Sequence, residues 1–137
     1  ALSATRAAIE EGILPGGGIA LLNAANYLAS QISQNLIEFE SNDEVAGAQI
    51  LIGACTSPLE AILLNAGLSF EVIQNAILSQ ESATYGYDAR NNKYVDMIAS
   101  GIIDPAKVTR SGIQNATSIA SMILTTECII VDQSPTT

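Results

Sequence analysis

At 137 residues and 14.2 kDa the chain has the length of one domain with room for a real core. Its 5 Lys and Arg against 14 Asp and Glu leave a net charge of −9, which repels a phosphate backbone and speaks against sequence-independent nucleic-acid binding. With 48% hydrophobic residues, 4% aromatic, no Trp and no His, the interior is expected to be aliphatic, and Cys55 and Cys128 lack the partners a zinc site needs.

The two cysteines sit inside apolar runs and read as buried free thiols of a reducing compartment. No uninterrupted apolar run approaches the roughly 20 residues of a membrane span, so neither a membrane segment nor a signal peptide is expected.

Residues 1–11 read as a helix whose inner face is Leu2, Thr5, Ala8 and Ile9. Nothing before Ser3 offers a start signal, so the chain is expected to be cut from a longer one. Gly12 suits the left-handed position that closes such a helix, with Ile13 as its apolar contact. Pro15 and three glycines, Gly16, Gly17 and Gly18, then lead into Ile19, Leu22, Ala25 and Leu28. A glycine run before a helix leaves bare amides that favour an anion or a close ligand approach; its plainer use is a turn or a tight helix crossing.

From Ser30 to Asp43 polar residues accumulate, and Glu38, Glu40, Asp43 and Glu44 read as a solvated acidic loop. Ser41 and Glu44 have capping-box spacing, opening a helix through Val45, Ile50, Leu51 and Cys55. Ser57, Pro58 and Glu60 repeat the device, which predicts a separate helix carrying Leu59, Ile62 and Leu63 and ending at Gly67. Ser69 is placed to cap a short helix from Phe70 to Leu78.

Thr84 to Tyr87 and Lys93 to Asp96 alternate around the turn-forming run Asp88, Ala89, Arg90, Asn91 and Asn92, which predicts a β-hairpin. In the stretch Gly101 to Arg110, Asp104 reads as an N-cap and Pro105 as the first helical residue. The helix continues with a stripe of Val108, Gly112, Ala116, Ile119 and Ile123 that would lie against other helices. The plain role of Asp104 is that cap; the sharper one is to accept a ligand hydroxyl. Glu127 to Asp132 is β-branched and apolar on both faces, a strand with no partner in its own chain, and Gln133 to Thr137 is a polar tail expected to be disordered. The fold class is therefore mainly α, a helical bundle with a short β-hairpin and a C-terminal β-strand.

Five of these motifs, in this order, resemble the C-terminal equatorial segment of a group I chaperonin of the GroEL type. They are ATRAAIEEG followed by PGGG (Ala4–Gly12, Pro15–Gly18), PLEAILLNAG (Pro58–Gly67), YGYDA (Tyr85–Ala89), GIIDPAKVTRS (Gly101–Ser111) and LTTECIIVD (Leu124–Asp132). The wording of Pro105–Ser111 and Asn115–Asp132 is similar to cyanobacterial or plastid members.

The resemblance implies that residues 1–132 are the C-terminal segment of a chaperonin equatorial domain and 133–137 its tail. It implies an ATP-driven machine of two stacked rings, a homo- or hetero-oligomer of chaperonin subunits in the cytoplasm or plastid stroma, which assists protein folding and prevents misfolding. Co-chaperonin and unfolded proteins would be engaged through domains absent from this chain, with no nucleic acid and no membrane partner. ATP is the implied cofactor, with Mg2+ held by absent parts of the subunit. No catalytic or metal-ligating residue falls on this chain, and the aspartate that orients the attacking water would directly precede Ala1.

By the same resemblance, the nucleotide contacts fall on Gly16 and Gly17 of the glycine loop, on Asp88, Ala89 and Arg90 for adenine and ribose, and on Asp104 as the ribose carboxylate. The family usually has Asn where this chain has Asp88 and a small residue where it has Arg90. Asp88 can accept from an adenine amino group but not donate, and Arg90, two residues on, is expected to offset its charge. The terminal strand would join a small sheet completed by a neighbouring subunit. The alternative is a stand-alone acidic helical interaction module that binds no nucleotide; the missing helix start and the unpaired strand favour the chaperonin segment. An independent nucleotide-using enzyme would need a base or metal cluster, for which the chain offers no candidate.

Overall fold

The computed structural model describes residues 1–126; the terminal strand expected over Glu127 to Asp132, Cys128 and the polar tail lie outside the described residues. The elements in chain order are α1 (Leu2–Glu11), β1 (Ile13–Pro15), α2 (Ile19–Ser33), α3 (Asn42–Asn65), α4 (Phe70–Leu78), β2 (Tyr85–Asp88), β3 (Lys93–Asp96), β4 (Ile103–Pro105) and α5 (Ala106–Thr125). The chain is mainly helical, with β1 paired to β4 and β2 paired to β3 in two small sheets. The described residues form two compact units, Ile13–Asp104 and Ala1–Gly12 together with the described part of the chain after Asp104.

In the unit Ile13–Asp104, α2 buries Ile19, Leu22 and Ala25, the three-residue repeat expected of one helix face. These meet Leu59 and Leu63 of α3 and Ile73 and Ile77 of α4, and Tyr87 and Met97 complete the core. Ser41 caps α3, its Oγ accepting the N–H of Glu44 at 3.3 Å. The Glu44 carboxylate reaches back to the N–H of Glu40 at 2.8 Å, so the box closes one residue earlier than the usual form. α4 covers Phe70–Leu78 as the spacing predicts, although the Ser69 hydroxyl binds Glu71 rather than a backbone amide.

The separate helix expected to begin at Pro58 does not form; α3 runs through it as one helix of 24 residues. Proline removes the hydrogen bond to the carbonyl of Ala54 and normally breaks a helix interior. Here Leu59 and Leu63, fully buried and one turn apart on the face beyond the proline, hold the helix on course through packing. Continuity also changes the hydropathy reading. α3 is long and apolar enough to cross a membrane by length and composition, with mean hydropathy 1.4 over its most apolar 18 residues, of which 11% are buried. Ile50, Leu51, Ile62 and Leu64 lie exposed along it.

In the other unit α1 packs on α5. Arg110 grips Glu11 with two parallel bonds, Nε to Oε2 at 3.0 Å and Nη2 to Oε1 at 2.6 Å, and Lys107 pairs with Glu10. A cleft of about 580 Å³ between the helices is lined by Ala7, Val108 and Gly112 among others. Contrary to the expected packing of its stripe, α5 buries no residue among those described, and Val108, Ile119 and Ile123 are exposed.

Candidate functional site

Asp104 does not cap α5. The helix starts at Ala106, and Pro105 stands at the cap position with φ −64° and ψ 129°, which is extended backbone. The N–H of Ala106, which a cap carboxylate would have to satisfy, donates to the carbonyl of Gly12 at 3.0 Å. Asp104 is instead drawn into β4 by the ladder with β1, two strands that the sequence reading did not separate from their flanking turns. Its carboxylate is exposed and receives no hydrogen bond from any described residue.

The same short ladder brings the glycine loop to Asp104. Gly16, which follows β1, donates its N–H to the carbonyl of Ile102 at 2.8 Å, and a Cβ on it would stand 3.1–3.2 Å from the backbone of Ile102 and Ile103. Gly18 is the cap of α2 in the left-handed region, φ 81°, and a Cβ there would lie 2.8 Å from the backbone nitrogen of Leu59. The glycine run therefore serves the tight crossing of α2 on α3. At the same time the N–H groups of Gly17 and Gly18 meet no acceptor among the described residues, so amide donors remain at the start of α2.

The hairpin forms as expected, with Tyr85, Gly86, Tyr87 and Asp88 facing Asp96, Val95, Tyr94 and Lys93. Tyr94 stacks on Tyr85 at 5.8 Å and meets Tyr87 edge-on at 4.9 Å. At its tip Asp88, 9% exposed, turns its carboxylate onto its own turn. Oδ1 accepts the N–H groups of Arg90 at 3.0 Å and Asn91 at 3.1 Å, and Oδ2 accepts the Asn91 side-chain amide at 2.7 Å. The charge offset expected from the Arg90 guanidinium is not found: only the backbone of Arg90 reaches Asp88, and Lys93 supplies the nearby cation. Arg90 itself is exposed and Ala89 packs on the core cluster.

Met97 joins the hairpin to the loop. A Cβ on Gly17 would meet its Cε at 2.8 Å, and one on Gly86 its Cγ at 2.6 Å, so this one side chain fills the space beside both glycines. Two residues bear on the site beyond the sequence expectation: Asp96, expected only as the end of a hairpin strand, and Met97, to which no role is assigned. The signal for Asp96 was an aspartate at a strand end ahead of a turn, where its side chain can bind amides two or three residues on. Asp96 accepts the Thr84 hydroxyl at 2.6 Å and the N–H of Ala99 at 2.9 Å.

Both aspartates are held below the ordinary carboxylate range. For Asp88 the Asn91 side-chain amide is the chief cause, opposed by burial and assisted by the two backbone amides; for Asp96 it is the Ala99 amide, then the Thr84 hydroxyl. A carboxylate whose folded pKa is depressed stabilises fully above its unfolded value, near 3.8, and that contribution is lost as pH falls through the folded value. Acid titration followed by circular dichroism should therefore show stability declining below about pH 4, and less steeply in Asp88→Asn and Asp96→Asn. An unchanged pH slope in both variants would contradict the assignment of these bonds.

All six residues expected to contact nucleotide lie in the unit Ile13–Asp104 or at its edge. The ladder gathers Gly16 and Asp104, and Met97 ties Gly17 to the hairpin that bears Asp88, Ala89 and Arg90. Among the described residues no group of His, Cys, Asp and Glu is arranged to hold a metal ion.

Comparison with known proteins agrees with this architecture. The chain spans 25% of the length of Chaperonin GroEL 3 from the cyanobacterium Acaryochloris marina (strain MBIC 11017), to which it is 49% identical over all 137 residues. A solved group III chaperonin in the open state superposes on 90% of the chain and 25% of its own, with a TM-score of 0.77 and 26% identity. The open-state monomer of a group II chaperonin from Methanococcoides burtonii covers 88% of the chain and 30% of its own, with a TM-score of 0.76; at 23% identity it speaks for the fold alone. The family model for the TCP-1/cpn60 chaperonins matches residues 1–134, and the chain belongs to that family.

Proposed function

We propose that residues 1–132 form the C-terminal segment of the equatorial domain of an ATP-dependent, GroEL-type chaperonin and contribute the nucleoside side of its ATP pocket. The observation that carries this reading is the carboxylate of Asp104, exposed, free of any described hydrogen bond, and placed by the β1–β4 ladder beside the glycine loop. A carboxylate with all its lone pairs open suits the hydroxyls of a ribose. The open amides of Gly17 and Gly18 at the start of α2 suit an anionic group passing close to the backbone. Ala89 and Arg90 present the hairpin turn to the base. Asp88 acts indirectly, keeping that turn in shape with the oxygens that would otherwise be open to adenine.

ATP hydrolysis, with Mg2+ and the water-orienting carboxylate, belongs to the remainder of the subunit, as do the domains for unfolded proteins and co-chaperonin. The exposed aliphatic face of α3 is the kind of surface that a larger subunit or a neighbouring one in a ring covers. A cytoplasmic location accords with the cyanobacterial relative.

Because affinity in such pockets derives largely from phosphate and metal contacts, the 137-residue chain by itself should bind ATP only in the high micromolar to millimolar range, about −4 to −6 kcal/mol. Hydrolysis should be absent. Steady turnover by the purified chain, abolished by Asp104→Ala, would overturn this division of labour.

A further inference from the structure

We propose that Asp96 is a positioning residue for the nucleoside site, fixing the hairpin that carries Ala89 and Arg90 relative to the strand that carries Asp104. The inference rests on the nucleotide reading above and adds to it a residue that lies outside the site itself. Asp96 ends β3 opposite Tyr85, and its two carboxylate oxygens serve different parts of the chain. Oδ2 holds the hydroxyl of Thr84, the residue entering β2, at 2.6 Å; Oδ1 holds the N–H of Ala99, in the turn leaving β3, at 2.9 Å.

Backbone bonds extend this clamp towards Asp104. Met97 donates to the carbonyl of Thr84 at 2.8 Å, and Ser100 donates to that of Asp96 at 3.0 Å. The turn closes where Ile102 donates to the carbonyl of Met97 at 2.8 Å, and the carbonyl of Ile102 in turn receives the N–H of Gly16 at 2.8 Å. Where this turn ends decides where β4 begins, and so where Asp104 stands against the glycine loop. Both side-chain bonds of Asp96 are exposed, so water can satisfy Thr84 and Ala99 when the carboxylate is removed. Its loss should therefore be felt in the geometry of the site more than in stability.

The test is the affinity of the full-length subunit for ATP against 2′,3′-dideoxy-ATP, which lacks the ribose hydroxyls. With Asp104 correctly placed, the ratio should favour ATP about tenfold. Asp96→Ala should reduce that preference to about twofold or less, Thr84→Val should reduce it partly, and Thr84→Ser, which keeps the hydroxyl, should retain it. A merely structural role would weaken both ligands together and leave the ratio unmoved. If Asp96→Ala does not fold, Thr84→Val carries the test, since it removes one exposed hydroxyl only. A ratio unchanged in Asp96→Ala and Thr84→Val but lost in Asp104→Asn overturns the positioning role while sparing the nucleotide reading. A wild-type subunit indifferent to the ribose hydroxyls overturns both.

Discussion

Asp104→Asn in the full-length subunit is expected to lower nucleotide affinity about ten- to a hundredfold, the worth of a hydrogen bond to a charged group, while moving unfolding stability by less than about 0.5 kcal/mol. The separation of the two effects follows from the structure around it. Had Asp104 capped α5, its removal would cost helix stability. Instead the first helical amide is satisfied by Gly12, the cap position belongs to Pro105, and no described residue bonds the carboxylate. Calorimetric titration with ATP alongside thermal unfolding would measure both quantities. A destabilised variant with unchanged affinity would return Asp104 to a purely structural role.

The second large effect is expected at Gly18. A Cβ there meets three atoms of Leu59 at 2.8, 2.9 and 3.0 Å, two of them backbone, and Gly18 also occupies the left-handed region at φ 81°. Neither α2 nor α3 can retreat without opening the core that Ile19, Leu22, Leu59 and Leu63 share. Gly18→Ala should cost about 2–4 kcal/mol from backbone conformation and overpacking together. Gly17→Ala should cost less, about 1 kcal/mol, because its φ of 66° is as unfavourable but the obstructing atom is the flexible end of Met97. Denaturant unfolding of the two variants would rank them; the reverse order would mean that the crossing of α2 on α3 is looser than described.

Elements specified by local chemistry were legible in the sequence. The capping box of Ser41 and Glu44, the short helix after Ser69 and the tyrosine-rich hairpin appear where propensity and spacing place them, because each depends on residues within a few positions. Features decided by distant partners were not. Pro58 carries a start signal, yet Leu59 and Leu63 packing on α2 outweigh it. Asp104 before Pro105 carries a cap signal, yet pairing with a strand some ninety residues earlier claims the backbone first. The stripe on α5 is expected to lie against other helices, yet Val108, Ile119 and Ile123 are exposed among the described residues, because periodicity marks an apolar face and not the partner that covers it.

The candidate site divides along the same line. Gly16, Gly17 and Asp104 are expected at the nucleotide from the glycine run, the Asp-Pro pair and the family resemblance, and the β1–β4 pairing carries Asp104 on β4 while Gly16 bonds Ile102 just before it. Asp88 was read as a ligand contact, whereas its carboxylate is engaged by three donors of its own turn. For Asp96 the bond to Ala99, three residues on, is a local signal, whereas the bond to Thr84 comes from across the hairpin and is not legible in the sequence.

The most direct test of the central claim is the structure of the full-length subunit bound to a non-hydrolysable ATP analogue, and in it one distance. A ribose hydroxyl within about 3.2 Å of the Asp104 carboxylate, with the base against the turn of Ala89 and Arg90, is the predicted result. A nucleotide whose ribose lies beyond about 4 Å of Asp104, or which leaves the glycine loop untouched, would contradict it.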